Sequence, residues 1–300
     1  MHSFAYGIML CMKTNNAQLK DQINTENEYF FGFPRGRYGE VLDELARTKV
    51  NSCRTSSIPL AEFWQPANLS RIEEILKPCL RGFNPRGALK FFEFPTEAVF
   101  NNKEIGKPSM SDLMILDRDW QIAIEAKYTE YVRGPSRTLS EWLSEGAADS
   151  LRPAVAKVWF DYIDKAGCTG LQSFEEFLRN CADVGYQFLH RTASACNKAN
   201  DSDGKSPVLV YQLFYKAGDA SHIASMEKCK SSLRNWAQNM KLRRMKFLVL
   251  CVPVMNDDEV EARFGAFHGE IFEKMKFETI YKFDFDGMEI EEVALALCCS

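Results

Sequence analysis

Two short apolar runs, Ser111–Leu116 and Gln121–Tyr128, constrain this chain more than any other feature, because charged residues interrupt them at fixed positions. Both runs suit β-strands, and Asp117-Arg118-Asp119 between them is turn chemistry, so the pair reads as a hairpin. Side chains alternate faces along a strand. Glu125 and Lys127 therefore point the same way, and hairpin pairing brings Asp112 near them. Burying such charges beside Leu113, Ile122 and Ile124 costs several kcal/mol for each ion unless it is paired or metal-bound. Metal coordination supplies a reason for the placement. The carboxylates of Asp112 and Glu125, the carbonyl of Ala126 and several waters would make a hard oxygen shell, suited to Mg2+ or Mn2+ rather than zinc. Lys127 would stand beside a metal-bound water, orienting the nucleophile and stabilising charge that builds on a phosphorane. The simpler reading makes Glu125 and Lys127 outward-facing partners on an edge strand, paired across the hairpin with Asp112.

The elements around this hairpin predict an α/β fold. Phe31–Gly39, interrupted by Gly and Pro, reads as loop, and Leu69–Leu80 carries apolar residues at helical spacing with a capping-box pattern at Ser70 and Glu73. Leu89–Phe94 reads as a strand, followed by a loop from Pro95 to Met110. Helical stretches are expected over Ser140–Ala166, Ser173–Cys196 (as two helices), Ser221–Leu242 and Asp257–Lys274. Strands are expected over Pro207–Tyr215, Lys246–Pro253 and Phe277–Phe285. Helices alternating with strands in the second half imply α/β crossovers. Residues 1–300 read as a single domain with an N-terminal elaboration over about residues 1–65.

Composition bounds the function classes. The chain has 300 residues, 46% hydrophobic and 26% charged, enough to bury one large core or two modest ones. Its longest apolar stretches, such as Phe247–Val254 and Val293–Cys299, fall far short of the roughly 20 residues a spanning helix needs, and no membrane is expected. Phe4–Met12 lacks a preceding basic region, and with ten scattered cysteines and no Cys-x-x-Cys the expectation is a cytoplasmic protein with reduced thiols and no paired-cysteine zinc site. A net charge of −4 argues against nonspecific coating of nucleic acid, while leaving room for a nuclease that gathers carboxylates around a metal.

The pattern Ser111-Asp112 with Glu125-Ala126-Lys127 resembles the PD-(D/E)XK nuclease superfamily over approximately Ile72 to Pro253. Serine stands where the family name has proline, and Pro108 lies three residues earlier. The flanking segments Phe92–Thr96 and Gln187–Ala195 are similar to those of restriction-endonuclease-like proteins of bacteria. The resemblance implies a restriction-endonuclease-like core, a central mixed β-sheet flanked by helices, and Mg2+-dependent hydrolysis of DNA phosphodiesters, as in a restriction or defence endonuclease. A nucleic-acid-binding module that keeps the fold without turnover, or a nuclease acting on RNA, are the alternatives. A homodimer would suit double-strand cleavage; a monomer that nicks fits the same residues.

Gln187, His190, Arg191 and Ser194 recur at three- and four-residue spacing along one helix face. In the superfamily such a helix often adds a polar group, making Gln187 and His190 the candidates for the site, against a plain solvated face. Glu73, Glu74, Glu93 and Glu97 are candidate extra ligands or surface charges, and Glu130 is ambiguous. Gln212 interrupts an apolar strand and needs a partner if buried. Lys228, Lys230, Arg234, Lys241, Arg243, Arg244 and Lys246 form either a DNA-facing stripe or a solvated helix face. Trp142, Trp159 and Trp236 read as packing residues.

Overall fold

A computed structural model describes residues 29–31, 33–35, 37–48, 53–130, 137–145, 151–197, 204–265 and 270–293. The chain opens with strands β1 (Tyr29–Phe31) and β2 (Phe33–Arg35), then helices α1 (Tyr38–Thr48), α2 (Ser57–Phe63) and α3 (Leu69–Leu76). Strand β3 (Leu89–Thr96) follows, then a small hairpin of β4 (Val99–Phe100) and β5 (Lys103–Glu104), and the pair β6 (Ser109–Leu116) and β7 (Trp120–Lys127). Helices α4 (Leu139–Ser144), α5 (Arg152–Lys165), α6 (Phe174–Cys181) and α7 (Tyr186–Cys196) lead to β8 (Ser206–Lys216). After it come α8 (Ala220–Asn239), β9 (Lys246–Val254), α9 (Asp257–Phe264), α10 (Ile271–Met275) and β10 (Glu289–Glu292).

Eight strands make one mixed sheet in the order β10-β9-β8-β7-β6-β3-β1-β2. The expected hairpin is antiparallel, with Leu113 opposite Ile124 and Leu116 opposite Gln121. Strand β8 then pairs parallel to β7, and β9 parallel to β8. Alternation sorts each central strand onto two faces. Leu113, Ile115, Ile122, Ile124 and Ala126 pack with α1, α2, α3, α9 and α10. Met114, Ala123, Leu209 and Tyr211 pack with α5, α6, α7 and α8. At about 1.5–3 kcal/mol for each large apolar side chain buried, these two layers hold the three-layer arrangement together. Asp112 shares the parity of Met114, and Glu125 and Lys127 that of Ala123, so all lie on the second face, under α7.

Several local expectations are corrected. Phe31–Gly39 is not a plain loop, since it contributes β1, β2 and the start of α1, and β1 pairs parallel to β3. The N-terminal elaboration thus enters the sheet, while residues 1–28 lie outside the described residues, as do Cys298 and Cys299. Helix α3 is preceded by Asn68 with no side-chain cap, and the Ser70 hydroxyl instead accepts from Arg86. Pro95 sits inside β3, opposite Met110, and β4 and β5 replace part of the expected loop. Asn101 and Asn102, both in the left-handed region (φ 50° and 60°), close that small hairpin, a conformation asparagine tolerates better than most residues. Ser140–Ala166 and Asp257–Lys274 each divide into two helices. Phe277–Phe285 is not a strand; Phe283 makes only an isolated bridge to Val254, and β10 pairs with β9 in its place. Among the described residues no helix is long and apolar enough to cross a membrane.

Candidate active site

Asp112, Glu125 and Lys127 come together where β6 and β7 separate. Their ladder ends at Leu113 opposite Ile124, and beyond it the Asp112 Oδ2 atom accepts the Ala126 backbone N–H at 2.8 Å. An acidic side chain thus stands in for the missing ladder carbonyl. Within a strand the N–H and C=O of one residue point to the same edge, which places the Ala126 carbonyl on the side facing β6. Lys127 Nζ donates to Glu125 Oε1 at 2.5 Å, and Glu125 is only 1% exposed.

The structure adds a residue the sequence reading passed over. Arg191 of α7 forms an ion pair through Nε with Glu125 Oε2, while its Nη1 donates to the Met110 carbonyl and to Ser109 Oγ at 3.1 Å. Ser109 Oγ lies 2.6 Å from His190 Nδ1. His190, chosen as a direct participant, therefore reaches the carboxylates only through Ser109 and Arg191. Its ring packs against Trp159 and Tyr186, and burial, with Arg191 beside it, holds its pKa well below the ordinary 6.5, leaving it neutral. Gln187 is half-buried one turn before Arg191, and among the described residues no hydrogen bond joins its side chain to the carboxylates.

Electrostatically the two acids are opposites. Burial raises the Asp112 carboxyl to about 7, aided by Glu125 and opposed by Lys127 and Arg191. Burial acts the same way on Glu125, but Arg191 and Lys127 outweigh it and hold that carboxyl at about 2. Desolvation would lower Lys127, yet Glu125 and Asp112 raise it above its ordinary value, so the ammonium is retained. Two carboxylates and two cations balance one another inside the fold.

Glu93 lies opposite Asp112, between the Phe92–Leu113 and Phe94–Ser111 pairs, with its backbone in the left-handed region (φ 54°). A non-glycine residue there is strained by roughly 1 kcal/mol or more. The Glu93 charge adds slightly to the raised Asp112 carboxyl. The carbonyl of Glu97 accepts from Tyr162 Oη at 3.0 Å, tying the small hairpin to α5. Glu73 and Glu74 belong to α3, in the layer behind the sheet, and take no part. Glu130 accepts from Ser56 N–H, Ser56 Oγ and Tyr128 N–H, a staple rather than a ligand. Gln212 lies on a central strand and on the opposite face, accepting from Trp64 Nε1 at 2.9 Å. Four cations of the basic segment are paired, Lys230 and Arg234 with Glu291, Lys241 with Glu176 and Lys246 with Glu292, while Lys228 and Arg244 are exposed. Trp142 stacks between Trp159 and Tyr186, and Trp236 Nε1 donates to Thr192 Oγ1, as packing residues would.

Could these groups hold a divalent cation? Among the described residues no group of three or more His, Cys, Asp or Glu gathers for a metal. The donor set that exists is two carboxylates and one backbone carbonyl, all hard oxygens, which suits Mg2+ with water completing the shell. A buried hydroxyl supports the fit. Tyr211 is paired in register with Glu125, and its Oη has no hydrogen-bond partner among the described residues, a demand that a metal-bound water would meet.

One family profile, described as a domain of unknown function (DUF6946), matches residues 36–259. That span includes every residue of the site. Comparison with curated proteins and with solved structures gave no match.

Proposed function

The chain belongs to the DUF6946 family, and we propose that it is a metal-dependent nuclease that hydrolyses phosphodiester bonds of DNA. The observation carrying this reading is the convergence of Asp112, Glu125 and Lys127 on one face of adjoining strands, with Asp112 bonded to the Ala126 N–H. A central mixed sheet with helices on both faces supports the restriction-endonuclease-like reading of the fold. Asp112, Glu125 and the Ala126 carbonyl would hold the ion. When bound, Mg2+ supplies a polarised phosphate and a more acidic water.

The chain's own groups divide the remaining work. Lys127, kept as an ammonium by its carboxylate neighbours, is a hydrogen-bond donor rather than a base in this arrangement, and it orients the attacking water or steadies charge on the phosphate. Asp112 is the acid of the two that holds its proton more tightly, and neutralisation by a cation relieves its repulsion from Glu125. The neutral His190 fixes Ser109, and through it Arg191.

The test is cleavage of supercoiled, linear and single-stranded DNA with Mg2+, Mn2+ or EDTA, comparing wild type with Lys127→Ala. Metal-dependent cutting that disappears in the variant is expected. Equal turnover by both proteins would overturn the site, and metal binding without any DNA cutting would move the proposal to RNA, another phosphodiester or a binding module.

A further inference from the structure

Arg191 occupies a position that bears on how many ions this site can hold. Its side chain is 13% exposed and is fixed on three sides, by Glu125 Oε2, by the Met110 carbonyl and by Ser109 Oγ, itself braced by His190. Lys127 is different: 23% exposed, on a flexible stem, and held at Glu125 Oε1. A cation arriving between Asp112 and Glu125 can displace the lysine from Oε1. The guanidinium remains on Oε2.

We infer that Arg191 stands permanently where a second metal ion would otherwise sit, so that the centre takes one divalent cation and Arg191 positions Glu125 to bind it through a single oxygen. This rests on the nuclease reading above. The charge balance agrees with it. Asp112 and Glu125 are already matched by Lys127 and Arg191, so one dication offset by one substrate phosphate leaves a modest positive excess. A second dication would crowd four added positive charges against a guanidinium that cannot leave. With Arg191 removed, Glu125 Oε2 becomes a free ligand and the objection to a second ion goes with it. Arg191 is a positioning residue on this view, since it touches Glu125 rather than the reacting atoms. The planar guanidinium suits arginine to the place: Nη1 hydrogen-bonds the Met110 carbonyl and Ser109 Oγ while Nε stands in ion-pair contact with Glu125 Oε2.

The experiment is to count Mn2+ bound per full-length chain by calorimetry and electron paramagnetic resonance, with Asp112→Asn as the control that empties the site. One ion for wild type, none for Asp112→Asn and two for Arg191→Ala, with an exchange-broadened spin-coupled signal, is the expected pattern. Circular dichroism establishes that each variant is folded. Should Arg191→Ala fail to fold, Arg191→Lys keeps a charge there and is expected to bind one ion, while the wild-type count alone still decides: two coupled ions overturn the inference and leave the nuclease reading standing. A folded Arg191→Ala that binds only one ion overturns it too. No ion bound by wild type defeats the metal-dependent reading itself, and the inference with it.

Discussion

Glu125→Gln and Asp112→Asn remove the same charge from neighbouring strands, yet the surroundings of the two acids call for opposite effects on metal-free stability. Glu125 is buried and answers two cations, one of them the immobile Arg191. Removing one partner of a buried ion pair costs about 3–5 kcal/mol, because the remaining charge is left uncompensated. Lys127 can turn toward Asp112 or solvent and Asp112 still faces Arg191, so the lower end, about 3 kcal/mol, is expected for Glu125→Gln. Asp112 stands in the reverse situation. Its carboxyl, ordinarily near 3.8, is raised to about 7, so the folded state resists its ionisation. At about 1.4 kcal/mol per pH unit, that displacement corresponds to roughly 4 kcal/mol lost by pH 8. The loss accumulates as pH rises from the unfolded value through the folded one, and it is absent in acid. Asparagine keeps an oxygen for the Ala126 N–H, so Asp112→Asn is expected to gain about 1–3 kcal/mol at pH 8 and progressively less toward pH 5. Urea denaturation with EDTA at pH 5, 6, 7 and 8 reads both variants. Equal destabilisation by the two substitutions at pH 8 would refute the reasoning, since the acids would then not be electrostatic opposites.

Lys127→Ala should lower cleavage by at least about 100-fold, the range for deleting one preorganised electrostatic donor, with the far-ultraviolet dichroism unchanged. His190→Ala should weaken cleavage while leaving the first metal ion bound, since the imidazole acts through Ser109 and Arg191; loss of that ion would show direct ligation instead. Glu62, buried in α2 with one carboxyl oxygen lacking a partner among the described residues, is raised by burial from the ordinary 4.5 to about 8. Its folded pKa lies above the unfolded one, so wild type should lose stability as pH rises from 4.5 to 8. Glu62→Gln should flatten that part of the stability profile, and parallel profiles for the two proteins would count against it.

The hairpin was legible because period-two alternation fixes faces without further information, and Asp112, Glu125 and Lys127 follow from parity and turn position. Arg191 was not. Helical spacing aligns Gln187, His190, Arg191 and Ser194 equally well, and only the way α7 crosses β6 decides which of them reaches Glu125. The last strand failed for a related reason. Phe277–Phe285 alternates apolar residues as a strand would, but Phe283 and Phe285 spend that apolarity on Phe63, with ring centroids at 5.5 and 5.6 Å, while their backbone leaves the ladder. Glu289–Glu292 has poor strand composition by itself. It pairs with β9 because its acids meet Lys230, Arg234 and Lys246, an attraction that appears only when α8 and β9 are packed.

Those same pairs bear on how the chain could hold DNA. Lys230, Arg234, Lys241 and Lys246 already answer glutamates, in a chain of net charge −4. A cation engaged this way releases few counterions when a phosphate approaches, because it must first leave its carboxylate. Binding should therefore depend on the metal and on a few local contacts rather than on a broad positive field. Each phosphate neutralised contributes about −0.9 to the slope of log K against log salt, so a shallow slope of about −3 or less in magnitude is expected for duplex DNA with Ca2+ in place of Mg2+. Fluorescence anisotropy between low and moderate salt measures it. A slope near −6 or steeper would mean that six or more phosphates are tracked by cations, and the ion pairs along α8 and β9 would have to open on binding.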